Sequence, residues 1–335
     1  MSSSTFDLEE RRVEKEIRNR KASLVLIQLP EGLKPHGPKL AAIVEKASAL
    51  AIVYADPCYG ACDLAIVEAE KLGVDLIIHY GHSEMLKQTT LPTLYIEAKV
   101  KSSVKSAVKK AIPHLKQWKK IGLVTTVQHV HKLGEAKNVL LETHKTVAIG
   151  DAGRLRYAGQ VIGCDYSNAK TISKEVDAFL FVGGGKFHAI GVALATAKPT
   201  VVADPYEKRA FTVEDETRKI LKKRWANISE TRKAENVGII IGLKGGQKRL
   251  DQALKVKKLV EEAGKKATVF ALTEVTPEAL MQFPTIDAFV NTACPRLSLD
   301  DAKKFYKPLI TPNEALVALG KRQWEELCKE GWFES

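Results

Sequence analysis

An apolar run that begins on an aspartate recurs along this chain with a cysteine at a fixed distance, and this internal repeat restricts the architecture more than any other feature. Cys62 stands 13 residues before Asp75 in the run VDLII, and Cys164 stands 13 residues before Asp177 in the near-identical run VDAFLF. A third copy, IDAFV from Ile286 to Val290, has no cysteine 13 residues ahead of Asp287, but Cys294 follows it directly. Three similar modules, each bringing one thiol, are the expected organisation.

Short, continuously apolar runs alternate with helical periodicity, the pattern of a parallel sheet covered on both faces. We expect an α/β fold of three modules, at residues 1–100, 101–208 and 209–335, each a small parallel sheet flanked by helices. In the first, a charged helix within Phe6 to Ala22 docks through Val13 and Ile17, and strands fall at Ser23 to Leu29, Ala51 to Ala55, Val74 to His79 and Thr93 to Ile96. Val100, Val104, Val108 and Ile112 recur every four residues and predict a bridging helix. The second module is expected to place strands at Ile121 to Val127, near Val147, at Gln160 to Gly163, at Ala178 to Val182 and at Thr200 to Ala203. A second bridging helix near Val213 to Ile228 leads to strands at Val237 to Leu243, Ala267 to Leu272 and Ile286 to Asn291, then helices at Asp300 to Phe305 and at the C-terminus.

Right-handed crossovers put every strand-to-helix turn at the carboxyl edge of its sheet, where α/β ligand sites form. All three repeat cysteines sit on such turns, so a pseudo-threefold packing of the modules would gather them at one centre. Five cysteines, odd in number and widely spaced, do not form the framework of a small secreted domain. No apolar run is long enough to cross a bilayer, and Met1 to Thr5 leads into charge, so we expect a cytoplasmic chain with no membrane contact. The net charge of +12 would suit an acidic partner or ribosome-associated surroundings, but solvated helix faces are the simpler reading of it.

Cys62, Cys164 and Cys294 are 102 and 130 residues apart, unlike the close pairs of structural zinc sites. Thiolates suit zinc or iron–sulfur clusters, and three of them on a [4Fe–4S] cube leave one iron open to substrate. Inert core thiols and zinc remain open at this point. Cys58, four residues before Cys62, is a possible substitute ligand, and Cys328 beside Trp324 and Leu327 reads as a small apolar residue.

The motifs YGACD at Tyr59 to Asp63, GCDYS at Gly163 to Ser167 and ACPRLSLDD at Ala293 to Asp301 resemble those of the diphthamide biosynthesis enzymes, the 2-(3-amino-3-carboxypropyl)histidine synthases. PEGL at Pro30 to Leu33, TTVQH at Thr125 to His129 and the Gly183 to Gly191 turn extend the resemblance over nearly the whole chain. It is similar to the archaeal, self-associating form. The resemblance implies a [4Fe–4S] cluster on Cys62, Cys164 and Cys294 that binds S-adenosylmethionine. It also implies an electron donor, a homodimer, and translation elongation factor 2 as the protein whose histidine receives a 3-amino-3-carboxypropyl group, with methylthioadenosine released. Cys58 departs from the family pattern.

Gly183, Gly184 and Gly185 leave a strand and open a helix, so their N–H groups are candidates for holding the substrate carboxylate or ribose; a turn that simply needs glycine is the competing reading. Gln128 and His129 are candidates to contact S-adenosylmethionine, or structural groups. Gly32 and Gly245-Gly246 hold comparable positions with a weaker case, and Arg296 either orients a carboxylate, offsets cluster charge or makes a surface salt bridge. Asp75, Asp177 and Asp287 are expected to fix the helix-to-strand turns. Two other functions fit the modular pattern: a quinolinate-synthase-like [4Fe–4S] lyase or condensing enzyme, and a noncatalytic metal-stapled binding protein.

Overall fold

A computed structural model describes residues 5–86 and 89–333, leaving Met1 to Ser4 outside the described residues. The chain divides into two compact units. The first comprises residues 5–102 with the short segments 127–131 and 244–246; the second comprises the remaining residues.

In the first unit, β1 (Phe6–Asp7) precedes the helix Glu10–Arg20, whose Val13 and Ile17 are buried in the core as expected. The main sheet is formed by β2 (Leu24–Gln28), β3 (Leu50–Tyr54), β4 (Leu76–Tyr80) and β5 (Thr93–Ile96), all parallel, in the order β3-β2-β4-β5. Val25, Leu26 and Ile27 are fully buried, because helices cover both faces of the sheet. A short β6 (Lys99–Val100) returns antiparallel to β1. Val100 therefore belongs to a strand, and the first bridging helix runs only Lys105–Ala111 before tightening to a 3-10 turn at Ile112–Leu115, where Pro113 has no N–H to continue an α ladder.

The second unit holds two sheets. One contains β7 (Lys120–Thr125), β8 (Thr146–Ala148), β9 (Ala178–Val182), β10 (Thr200–Asp204) and β11 (Arg209–Thr212), in the order β11-β10-β9-β7-β8 with only β11 antiparallel. The other contains β12 (Asn236–Gly242), β13 (Lys266–Leu272), β14 (Ala288–Asn291) and β15 (Leu309–Ile310), all parallel, in the order β13-β12-β14-β15. The two share one apolar core that joins Phe181 and Val202 to Ile239, Val256 and Leu327. The helix Glu214–Lys233 carries Arg224 into this core, where it forms a two-pronged ion pair with Glu314 at 2.6 Å and donates to the carbonyls of Ser298 and Leu309.

Leaving the antiparallel β11 aside, the same parallel order recurs in all three main sheets: second strand, first, third, fourth. The repeated aspartates explain how each sheet starts. Asp75 accepts from the N–H groups of Ser23 and Leu24, Asp177 from those of Lys119 and Lys120, and Asp287 from those of Glu235 and Asn236, at 2.8–3.0 Å. Each carboxylate thus ties the start of the third strand to that of the first, the structural role expected of it.

The segment Gln160 to Gly163 is not a strand, contrary to expectation. It forms only isolated bridges, Thr125 with Gln160 and Ile162 with Asp165, because Gly159 turns the backbone at φ 69° and Ile162 donates back to the Asp165 carbonyl. The helix expected at Asp300 to Phe305 is displaced to Pro295–Leu299, followed by a 3-10 turn at Ala302–Lys304. Proline at the first helical position starts it early, where no N–H is needed.

Candidate metal centre

In the first unit, Cys62 is half-buried on the turn after β3. Asp63 donates its N–H to the Gly60 carbonyl at 3.0 Å, and its carboxylate accepts from the Tyr59 N–H at 3.2 Å. Lys244 pairs with the same carboxylate at 2.9 Å while its ammonium sits 4.4 Å from the centre of the Tyr59 ring. Gly246 donates to the Cys62 carbonyl at 2.9 Å, and a Cβ at Gly246 would lie 2.5 Å from that of Cys62, so only glycine fits there. Cys58 is directed elsewhere, 3% exposed, among the imidazoles of His79 and His82.

In the second unit, Cys164 lies on the tight turn between Ile162 and Asp165, and Asp165 accepts from the Ser167 N–H where the helix Ser167–Ile172 begins. Cys294 immediately precedes the helix Pro295–Leu299. Asn291 holds its loop, donating to the Cys294 carbonyl at 2.6 Å and accepting from the Ala293 N–H at 2.9 Å. Burial pushes the Cys294 thiol up, opposed by the amides of Arg296 and Leu297 and by the guanidinium groups of Arg296 and Arg249, which favour a thiolate.

Arg296 joins the two cysteine turns. Its guanidinium lies 3.7 Å from the centre of the Phe187 ring, donates to the Phe187 carbonyl at 2.8 Å and pairs with Asp300 at 2.6 Å. A Cβ at Gly163 would meet the Phe187 ring at 3.0 Å and the Arg296 stem at 3.7 Å. Tyr166 is fully buried between them, its phenol raised by burial, lowered by Arg296, and raised further by Cys164, Asp300 and Cys294. Cys164 and Cys294 therefore share one neighbourhood.

The remaining candidates are engaged by the chain itself. The Gly183 amide donates to Ala203, and the Gly185 amide donates to the Asp204 carboxylate at 3.0 Å, where Gly185 takes φ 71°. Gln128 lies in the 3-10 turn Val127–Lys132 rather than on a strand, and donates to the carbonyls of Gly81 and Glu97; His129 beside it is 1% exposed. Gly32 stands in open space. Cys328 packs beside Trp324 against the core. Sequence reasoning assigned no role to Lys244, Tyr166, Phe187 or the pair His79 and His82; Tyr166 and Phe187 lie within the GCDYS and Gly183 to Gly191 stretches, and the histidines in the HYGH run at the end of β4, whereas Lys244 carried no local signal.

A family model for diphthamide synthesis proteins matches residues 29–328. The chain belongs to the diphthamide synthesis family. Among its relatives in this family, the 2-(3-amino-3-carboxypropyl)histidine synthase of Pyrococcus horikoshii is 37% identical over 92% of this chain and 89% of its own length. The enzyme's subunit 1 from Schizosaccharomyces pombe is 32% identical over 93% of this chain and 73% of its own. The crystal structure of Dph2 from Pyrococcus horikoshii with a 4Fe-4S cluster superposes with a TM-score of 0.87, covering 95% of this chain and 92% of that one. Like these relatives, this member of the diphthamide synthesis family is a transferase.

Proposed function

We propose that this chain catalyses the first step of diphthamide biosynthesis, moving a 3-amino-3-carboxypropyl group from S-adenosylmethionine to C2 of a histidine of translation elongation factor 2 and releasing methylthioadenosine. The full-length likeness to a histidine synthase that carries a 4Fe-4S cluster is the observation that supports this reading most. Cys62, Cys164 and Cys294 would hold the cluster. Their chemistry suits it: all three are half-buried thiols, and cations stand close to the turns, Lys244 by Cys62 and Arg296 and Arg249 by Cys294, to offset an anionic thiolate cluster. When bound and reduced, such a cluster supplies the electron that cleaves the sulfonium bond to the methionine γ-carbon.

The chain's own residues orient and enclose. Arg296 pairs with Asp300 and donates to the Phe187 carbonyl, which fixes the Cys294 turn and lends positive charge, while its buried Nη1, without a hydrogen-bond partner, is left to meet a substrate carboxylate. The Gly183 to Gly185 turn, Gln128 and His129 are proposed to line the S-adenosylmethionine site mainly by backbone shape, since the first two already spend donors internally. We further propose the three-module division at residues 1–100, 101–208 and 209–335, with pseudo-threefold packing around the cluster. A cytoplasmic homodimer served by a separate electron donor completes the reading. The acidic-partner expectation is met if the +12 chain docks an acidic face of elongation factor 2. Replacing Cys62, Cys164 or Cys294 by Ala should each abolish iron loading and turnover, whereas Cys328→Ala should retain both; iron retained by all three variants would refute the ligand set.

A further inference from the structure

Cys58 lies outside the three-cysteine set, and its surroundings in the first unit explain what it is suited to do. It comes from the turn after β3, His79 from within β4, and His82 from the turn after β4. One ligand atom from each, Cys58 Sγ and a ring nitrogen of each histidine, lie within 4.8 Å of one another. We propose that Cys58, His79 and His82 form a second metal site, separate from the three-cysteine centre, that takes a single zinc or similar divalent transition-metal ion.

The tautomer of His79 is set by its neighbours. Gln28 donates through Nε2 to the Asp63 carbonyl at 2.7 Å and accepts at Oε1 from the Ala65 N–H at 3.2 Å, which fixes the orientation of its amide. Gln28 Oε1 lies 2.9 Å from His79 Nδ1 and can only accept, so Nδ1 carries the proton and Nε2 keeps its lone pair. A histidine whose far nitrogen donates to a carbonyl while the near one is bare is the usual arrangement of a metal ligand. The bare Nε2 faces His82 Nδ1 at 2.9 Å. Two nitrogens on a tetrahedral zinc, each at about 2.0–2.1 Å, stand about 3.3 Å apart, so a small opening of the pair admits the ion.

The ligand types agree with this choice. One sulfur and two imidazoles suit zinc better than magnesium or calcium, and three protein ligands leave a fourth position for water or a substrate atom. Burial keeps both imidazoles neutral, lowering His79 well below its ordinary value and His82 to about 4, and holds the Cys58 thiol up at about 12. Binding therefore exchanges the Cys58 proton for the metal: the S–H bond breaks, a sulfur–metal bond forms and one proton leaves to solvent, while the proton His82 Nδ1 shares with His79 Nε2 passes to His82 Nε2, leaving both facing nitrogens for the ion.

The test uses tag-free, full-length, cluster-loaded protein dialysed against zinc and then freed of excess. Metal analysis should give about one zinc per chain. Zinc-edge X-ray absorption, blind to the iron, should show one sulfur and two imidazole nitrogens. Cys58→Ala and His82→Gln should each weaken zinc binding at least tenfold while iron content stays at the unsubstituted level. Absence of stoichiometric zinc, unchanged affinity in both variants, or a first shell of three sulfurs would overturn the proposal. The last would mean zinc had entered the Cys62, Cys164 and Cys294 set. The absorption measurement needs no substitution, so it stands even if a variant fails to fold, and the bound cluster keeps zinc out of the three-cysteine set while it is made.

Discussion

Gly246 shows how narrowly one residue can be specified. Its hypothetical Cβ lies 2.5 Å from the Cys62 Cβ and 2.6 Å from the Cys62 Cα, atoms that cannot move without moving the turn itself. Gly246→Ala should destabilise the first unit by about 1–3 kcal/mol and sharply reduce iron retention, measured by denaturant unfolding and metal analysis. In the second unit, Arg224 and Glu314 are 1% and 0% exposed, and Glu314 also accepts from the Trp332 indole at 2.8 Å. Removing one partner strands the other charge in apolar surroundings. Arg224→Ala should therefore cost about 3–5 kcal/mol in urea unfolding, more than loss of both partners in an apolar double variant. The buried ion pair was not visible in the sequence, because a buried arginine and a surface lysine share the same helical periodicity.

At the scale of elements, the repeated aspartates are the best-read feature. Their spacing from the cysteines marked them out, and each receives two backbone N–H groups from the first strand of its sheet. These bonds hold Asp75 below its ordinary carboxylate value, chiefly through the Ser23 hydroxyl; Asp177 is lowered first by the Lys120 amide and Asp287 by that of Asn236. A folded value below the unfolded one means the contribution is complete above the unfolded value and disappears as pH falls through the folded one. Urea midpoints of Asp75→Asn and the parent chain should differ near neutrality and converge below about pH 4. A constant difference would mean the carboxylate charge is irrelevant. The strands and helices built on continuous apolar runs were legible to within a few residues. The Cys164 approach was not, because Gln160 to Gly163 looks like a strand until Gly159 and Asp165 fold it back. The short β11 and β15 left no pattern long enough to detect.

For the whole molecule, strand order carries the lesson. Three sheets with the same parallel order follow from a repeat that two cysteines and three aspartates announced. The site was less legible: the sequence marked which thiols to consider, but not that Arg296 and Phe187 bind the Cys164 and Cys294 turns together, nor that Cys58 faces two histidines, since such contacts join residues far apart in the chain. The proposed chemistry turns on which carbon–sulfur bond is broken. Anaerobically reduced protein, incubated with S-adenosylmethionine and elongation factor 2, should yield methylthioadenosine together with one histidine heavier by a 3-amino-3-carboxypropyl group. Formation of 5′-deoxyadenosine with an unmodified histidine would contradict the account.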